Sequence, residues 1–104
     1  PMWLAPEQVR VLPIKEEHND YAKQVLAQLR AAGLRSEAVL DDEPIGAKIK
    51  AGRNARLPYM LVVGAQEMAD GTITVRKRDV AEQTTMTVAQ FLAAIAPELQ
   101  PNPA

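Results

Sequence analysis

Leu57-Pro-Tyr-Met-Leu-Val-Val-Gly64 is the stretch that decides the fold. Between its proline and its glycine, Tyr59–Val63 is a continuous apolar run, which reads as a central strand covered on both faces. Upstream, Asp41, Asp42 and Glu43 lead into Pro44, which suits the first position of a helix. Ile45 and Ile49 turn inward on that helix, its outward side is basic, and Pro58 ends it. Downstream, Asp70-Gly71 marks a tight turn, after which Ile73 and Val75 alternate with Thr74, Arg76 and Arg78. This next strand therefore has one apolar and one cationic face, and its connection to the core strand is too short for a crossover helix, so the pair is antiparallel.

Further out, residues 7–14 alternate, with Val9 and Val11 on one face and Pro13 limiting a first strand. Residues 18–33 place Ala22, Val25, Leu26 and Leu29 at helical spacing, with Asn19 as N-cap and Gly33 as the stop; a short second strand follows at residues 34–39. Near the end, Thr87 with Gln90 makes a capping box and Met86 can staple against Phe91. Val88, Phe91, Leu92 and Ile95 then form a helical stripe until Pro97. Strands alternating with helices imply an α/β three-layer sandwich on a largely parallel sheet.

With 104 residues the chain is one domain, residues 1–100, followed by a loose tail at 101–104. There is no cysteine, so disulfides, thiolate nucleophiles and Cys-based zinc sites are ruled out. No apolar run approaches the roughly 20 residues that cross a bilayer. With no export leader recognisable either, the expected compartment is the cytoplasm.

The net charge of −1 hides a strong polarisation. Residues 44–66 carry Lys48, Lys50, Arg53 and Arg56 and no acid, and Arg76, Lys77 and Arg78 form a second cluster. Those seven cations leave five against thirteen acids in the rest of the chain, so one cationic surface is expected if the fold joins the two stretches.

Nucleophilic catalysis finds no support, because His18 is the only histidine, at a helix start among Glu16, Glu17 and Asp20. It reads as an exposed structural residue. The acids at 41–43 are better explained by the positive end of a helix than by a hard cation, and no phosphate-cradling glycine motif is present. Trp3 could stack on a base, but an anchor at the domain boundary is the simpler reading.

Four segments carry a family resemblance: Pro1-Met-Trp-Leu-Ala-Pro-Glu-Gln-Val9, Glu43-Pro-Ile-Gly-Ala-Lys-Ile49, Leu57-Pro-Tyr-Met-Leu-Val-Val-Gly64 and Val75-Arg-Lys-Arg78. Nearly end to end, the chain resembles the C-terminal anticodon-binding domain of bacterial threonyl-tRNA synthetases, class II aminoacyl-tRNA synthetases. The resemblance implies a five-stranded, mostly parallel but mixed sheet flanked by about three helices. It implies no cofactor in this domain; ATP, magnesium, zinc and the threonine chemistry would belong to an N-terminal catalytic core. The implied partners are that core and the anticodon stem-loop of tRNA-Thr, with no membrane, the isolated domain monomeric and the parent a homodimer.

Such domains read the middle G and final U of threonine anticodons, bases that must be splayed out to expose their edges. Carried over by motif, the base contacts fall on Asp42, Arg56, Glu67 and Arg76, with Arg56, Glu67 and Arg76 converging on one patch. A carboxylate accepts guanine's adjacent N–H groups and a guanidinium satisfies uracil's carbonyls. Lys48, Lys50, Arg53, Lys77 and Arg78 would then serve the phosphates. Asp41-Asp42 departs from the Arg-Asn usual at this point, and an ionised aspartate only accepts and repels phosphate. Three readings stay open: Asp42 accepts a base N–H alone, the reader leans on Arg56 and Arg76, or the chain is a divergent paralogue, a protein-interaction module that has lost tRNA binding. A small flavodoxin-like enzyme has only the alternation of elements behind it.

Overall fold

The chain runs β1 (Val9–Pro13), α1 (Asn19–Ala31), β2 (Ser36–Ala38), α2 (Ile45–Asn54), β3 (Tyr59–Val63), α3 (Ala65–Asp70), β4 (Ile73–Lys77), β5 (Gln83–Met86) and α4 (Val88–Ile95). These elements come from a computed structural model that describes residues 2–99, so the tail expected at 101–104 lies outside the described residues. Short 3-10 turns occupy Met2–Leu4, Glu16–His18 and Ala96–Leu99.

The sheet order is β2-β1-β3-β4-β5. β1 pairs parallel with β2 and β3, whereas β3–β4 and β4–β5 are antiparallel, so the sheet is evenly mixed rather than mostly parallel. Among the described residues four α-helices flank it instead of about three, because α3 fills the β3–β4 connection. As its apolar run demands, every residue of β3 is buried. Tyr59, Leu61 and Val63 face α1 and α4, joining Val9, Val11, Val25, Leu29, Phe91 and Ile95. Met60 and Val62 face the other way, where Leu12, Leu57 and the α2 residues Ile45 and Ile49 meet them. α1 and α4 thus form one layer, the sheet the second and α2 the third.

Local chemistry sets the boundaries. Pro44 caps α2 in an extended conformation instead of opening it, so the helix begins at Ile45. α4 starts at the expected box: Gln90 N donates to Thr87 Oγ1 (3.1 Å) and Thr87 N to Gln90 Oε1 (2.9 Å). α2 can lie close on β3 because Gly52 has no side chain; a Cβ there would strike Met60 Sδ. Trp3 is partly buried in the first 3-10 turn, where its carbonyl accepts from Arg35 Nη2 at 2.8 Å.

Candidate nucleic-acid interface

β4's register with β3 puts Arg76 opposite Met60 and Thr74 opposite Val62, on the side of the sheet where α2 packs. Gln83 and Thr85 pair with Arg76 and Thr74 and extend that face, and both are exposed, since α2 does not reach β5. Beside α2's last turn, a cleft of about 550 Å³ opens toward the β4–β5 turn. Arg53, Arg56, Arg76 and Arg78 stand around it over Leu57, Met60 and Val80. Among the described residues, the guanidinium groups of Arg53, Arg56 and Arg76 and the Lys50 ammonium make no ion pair, whereas Arg10 and Arg30 are paired with Glu7 and Glu37. Asp79, the only acid on the cleft wall among the described residues, sits 3.9 Å from Arg78. Unpaired guanidinium groups gathered this closely repel one another, a cost an anion relieves.

The backbone at Arg56 is unusual in a telling way. α1 ends with Leu34 N donating to Leu29 O (3.1 Å) and Gly33 N to Arg30 O (2.9 Å), with Gly33 at φ +86°. α3 closes on the same long bond, Thr72 N to Glu67 O at 3.0 Å, with Gly71 at φ +71°. α2 finishes with Leu57 N to Gly52 O (3.2 Å) and Arg56 N to Arg53 O (3.0 Å), but Arg56, at φ +56°, fills the left-handed position that belongs to glycine. A side chain held there costs about 1–2 kcal/mol, and such strain persists at ligand clamps. Arg78 meets this turn twice: its N–H donates to Pro58 O (3.0 Å) and its Nη1 to Arg56 O (2.9 Å).

Some residues expected at the interface are placed otherwise. Lys48 is 3% exposed, and its Nζ donates to Pro13 O (3.0 Å) and Val39 O (3.2 Å), so it ties α2 to the ends of β1 and β2 and offers nothing to a phosphate. Lys77 also lines the cleft, but strand alternation sends its side chain to the opposite face from Arg76, with Nζ 5.9 Å from the Tyr59 ring centroid and 4.0 Å from Glu98 Oε2. The expected convergence of Arg56, Glu67 and Arg76 is half met. Arg56 and Arg76 share the cleft at the start of β3; Glu67 stands on α3 beyond the other end, about 16 Å of strand away. There its Oε1 accepts from Gly64 N at 2.7 Å, and its charge adds to burial in raising the Tyr21 phenol pKa. Asp42 is exposed ahead of α2, at Glu67's end of the sheet. His18 is buried rather than exposed, with Nδ1 accepting from Lys15 N at 3.2 Å. No three of the described His, Asp and Glu side chains gather as a metal site.

Val80 of the cleft's floor, and Gln83 and Thr85, went unread in the sequence. Val80 lies in a turn, and Gln83-Thr-Thr-Met86 has no apolar alternation to announce a strand.

A three-layer α/β domain with a cationic cleft beside an open sheet face defines a class, and the match is direct: the anticodon binding domain family spans residues 8–98, and the chain belongs to that family. Among its relatives, the threonine–tRNA ligase of Syntrophomonas wolfei is 44% identical over 100 residues, covering 96% of this chain and 16% of the relative. That of Thermus thermophilus is 44% identical over 92 residues, covering 88% and 14%. This chain thus spans about one sixth of the curated relatives' length. Among solved structures, the RNA binding domain of threonyl-tRNA synthetase from Cryptosporidium parvum superposes with a TM-score of 0.93 at 32% identity, over 98% of this chain and 26% of that one. The prolyl-tRNA synthetase of the same organism shares the fold, with a TM-score of 0.82 at 24% identity, over 95% of this chain and 21% of that one.

Proposed function

We propose that this chain is the anticodon-reading module of a threonine–tRNA ligase, working in the cytoplasm on the anticodon stem-loop of tRNA-Thr. Attachment of threonine, with its ATP, magnesium and zinc, belongs to a catalytic core elsewhere in the parent. The observation that carries the reading is the unpaired Arg53–Arg56–Arg76 set around one cleft. Extruded bases need donors fixed in space, and Arg76 is fixed by β4 while Arg56 is fixed by its helix-ending turn. In this reading both arginines satisfy the carbonyls of the final U, and Lys50 and Arg53 hold phosphates. Glu67 accepts from the middle G at the far end of β3, where its Oε2 makes no hydrogen bond among the described residues, so the two bases are gripped at separate stations. Asp42 can only accept a base N–H.

Arg76→Ala is expected to weaken stem-loop binding by about 1–3 kcal/mol without lowering the melting temperature; unchanged affinity would contradict the assignment. No observation favours the interaction-module alternative. The large exposed apolar residues Leu4, Ile14, Met68 and Val80 sit on four separate segments, and Val80 lies in the cationic cleft itself.

A further inference from the structure

We infer that Arg78 is a positioning residue for RNA binding, acting through Arg56 and not by contacting phosphate itself; the inference rests on the reading above. Arg78 is exposed and cationic, and a solvated phosphate contact is what its sequence context suggests. Its guanidinium is held on one side: Nη1 donates to the Arg56 carbonyl at 2.9 Å, and Nε lies 3.9 Å from Asp79 Oδ2. The carbonyl it holds belongs to the one residue that, among the described residues, ends a helix in the left-handed region without being glycine. A residue with a Cβ leaves that region readily unless its surroundings fix it. Three contacts fix it here: the two α2-terminal bonds, and the strap from Arg78, which also binds Pro58 O through its own N–H.

Arg78 is rigid enough to serve as the strap. It directly follows β4, and its turn closes with Val80 N donating to Lys77 O at 3.2 Å while Asp79 takes φ +65°. The α2–β3 turn and the β4–β5 turn are therefore latched across the cleft mouth, and the Arg56 side chain is presented on the rim that Arg76 also lines. Without the latch, Arg56 can relax toward right-handed backbone angles and swing its guanidinium off the rim.

A double-mutant cycle tests this, using fluorescence-detected binding of a synthetic threonine anticodon stem-loop to the chain and its R56A, R78A and R56A/R78A variants. R56A and R78A are each expected to weaken binding about tenfold, and the double variant to be no weaker than R56A alone. R78Q, which keeps a polar side chain at this exposed position, repeats the cycle if R78A does not fold, as judged by its melting curve. Losses that multiply in the double variant, with R78A also lowering the salt slope by about one phosphate contact, would make Arg78 a direct phosphate ligand and overturn the inference alone. Binding indifferent to R56A, R76A and R78A alike would overturn it together with the reading on which it rests.

Discussion

Arg56 sets stability against its proposed binding role within one residue. Glycine ends α1 and α3 in the same kind of turn without strain, while Arg56 keeps a side chain at φ +56°. Arg56→Gly is therefore expected to hold stability or raise it by up to about 1 kcal/mol in urea denaturation, and at the same time to weaken stem-loop binding. A variant that is both clearly destabilised and unimpaired in binding would contradict this. Lys48 is the converse case, a cation spent on the fold. Lys48→Ala removes its bonds to Pro13 O and Val39 O and is expected to cost about 1–3 kcal/mol of stability with no change in the salt slope of RNA binding. From the sequence, Lys48 and Lys50 looked alike. Helical phase separates them, since Lys48 falls beside Ile45, Ile49 and Gly52 on α2's inward side, and four methylenes let a buried stem carry its ammonium to backbone carbonyls.

At the scale of elements, the legible parts were those whose side chains obey a period. β3, with its unbroken apolar run, and α4, with its capping box and stripe, stand where the residues put them. α3 was missed because six residues give no full helical period, and its start rests on Glu67 accepting from the Gly64 N–H rather than on a Ser, Thr, Asp or Asn cap. Contact between elements is testable at Gly52. Gly52→Ala puts a methyl against Met60 Sδ, so the buried Met60 side chain must move, and urea denaturation is expected to show the gain of about 1 kcal/mol that alanine brings to a helix cancelled or reversed. A second contact, Tyr59 OH to Glu98 Oε2 at 2.6 Å, joins β3 to the final 3-10 turn. Burial first, and then this bond and the Glu98 charge, hold the Tyr59 phenol well above its ordinary pKa. The folded state thus keeps the proton more tightly than the unfolded chain does. This contribution is complete below pH about 10, where the unfolded phenol titrates, and is lost as pH rises beyond it. Thermal melts between pH 8 and 11 should show stability falling at the alkaline end, and Tyr59→Phe should flatten that fall.

For the molecule as a whole, the polarised charge was legible: two basic stretches do meet on one face, because β4 pairs beside β3 and α2 packs over β3. What could not be read was which cations remain free. That depends on strand alternation, which sends Lys77 to Tyr59 and Glu98, and on the turn geometry that engages Arg78. Lys50→Ala and Arg53→Ala should each reduce the slope of log affinity against log salt by about 0.7–0.9, as expected for one phosphate contact apiece. The separation of Glu67 from Arg56 and Arg76 was equally hidden, since nearness to the same strand in sequence does not say at which end of it a side chain stands.

The most direct measurement titrates this chain with two stem-loops that differ only in the middle base of the anticodon, at one fixed salt concentration. A threonine anticodon is predicted to bind more tightly than its counterpart with the middle G replaced, by about 1–3 kcal/mol. Equal affinities for the two would contradict the decoding role.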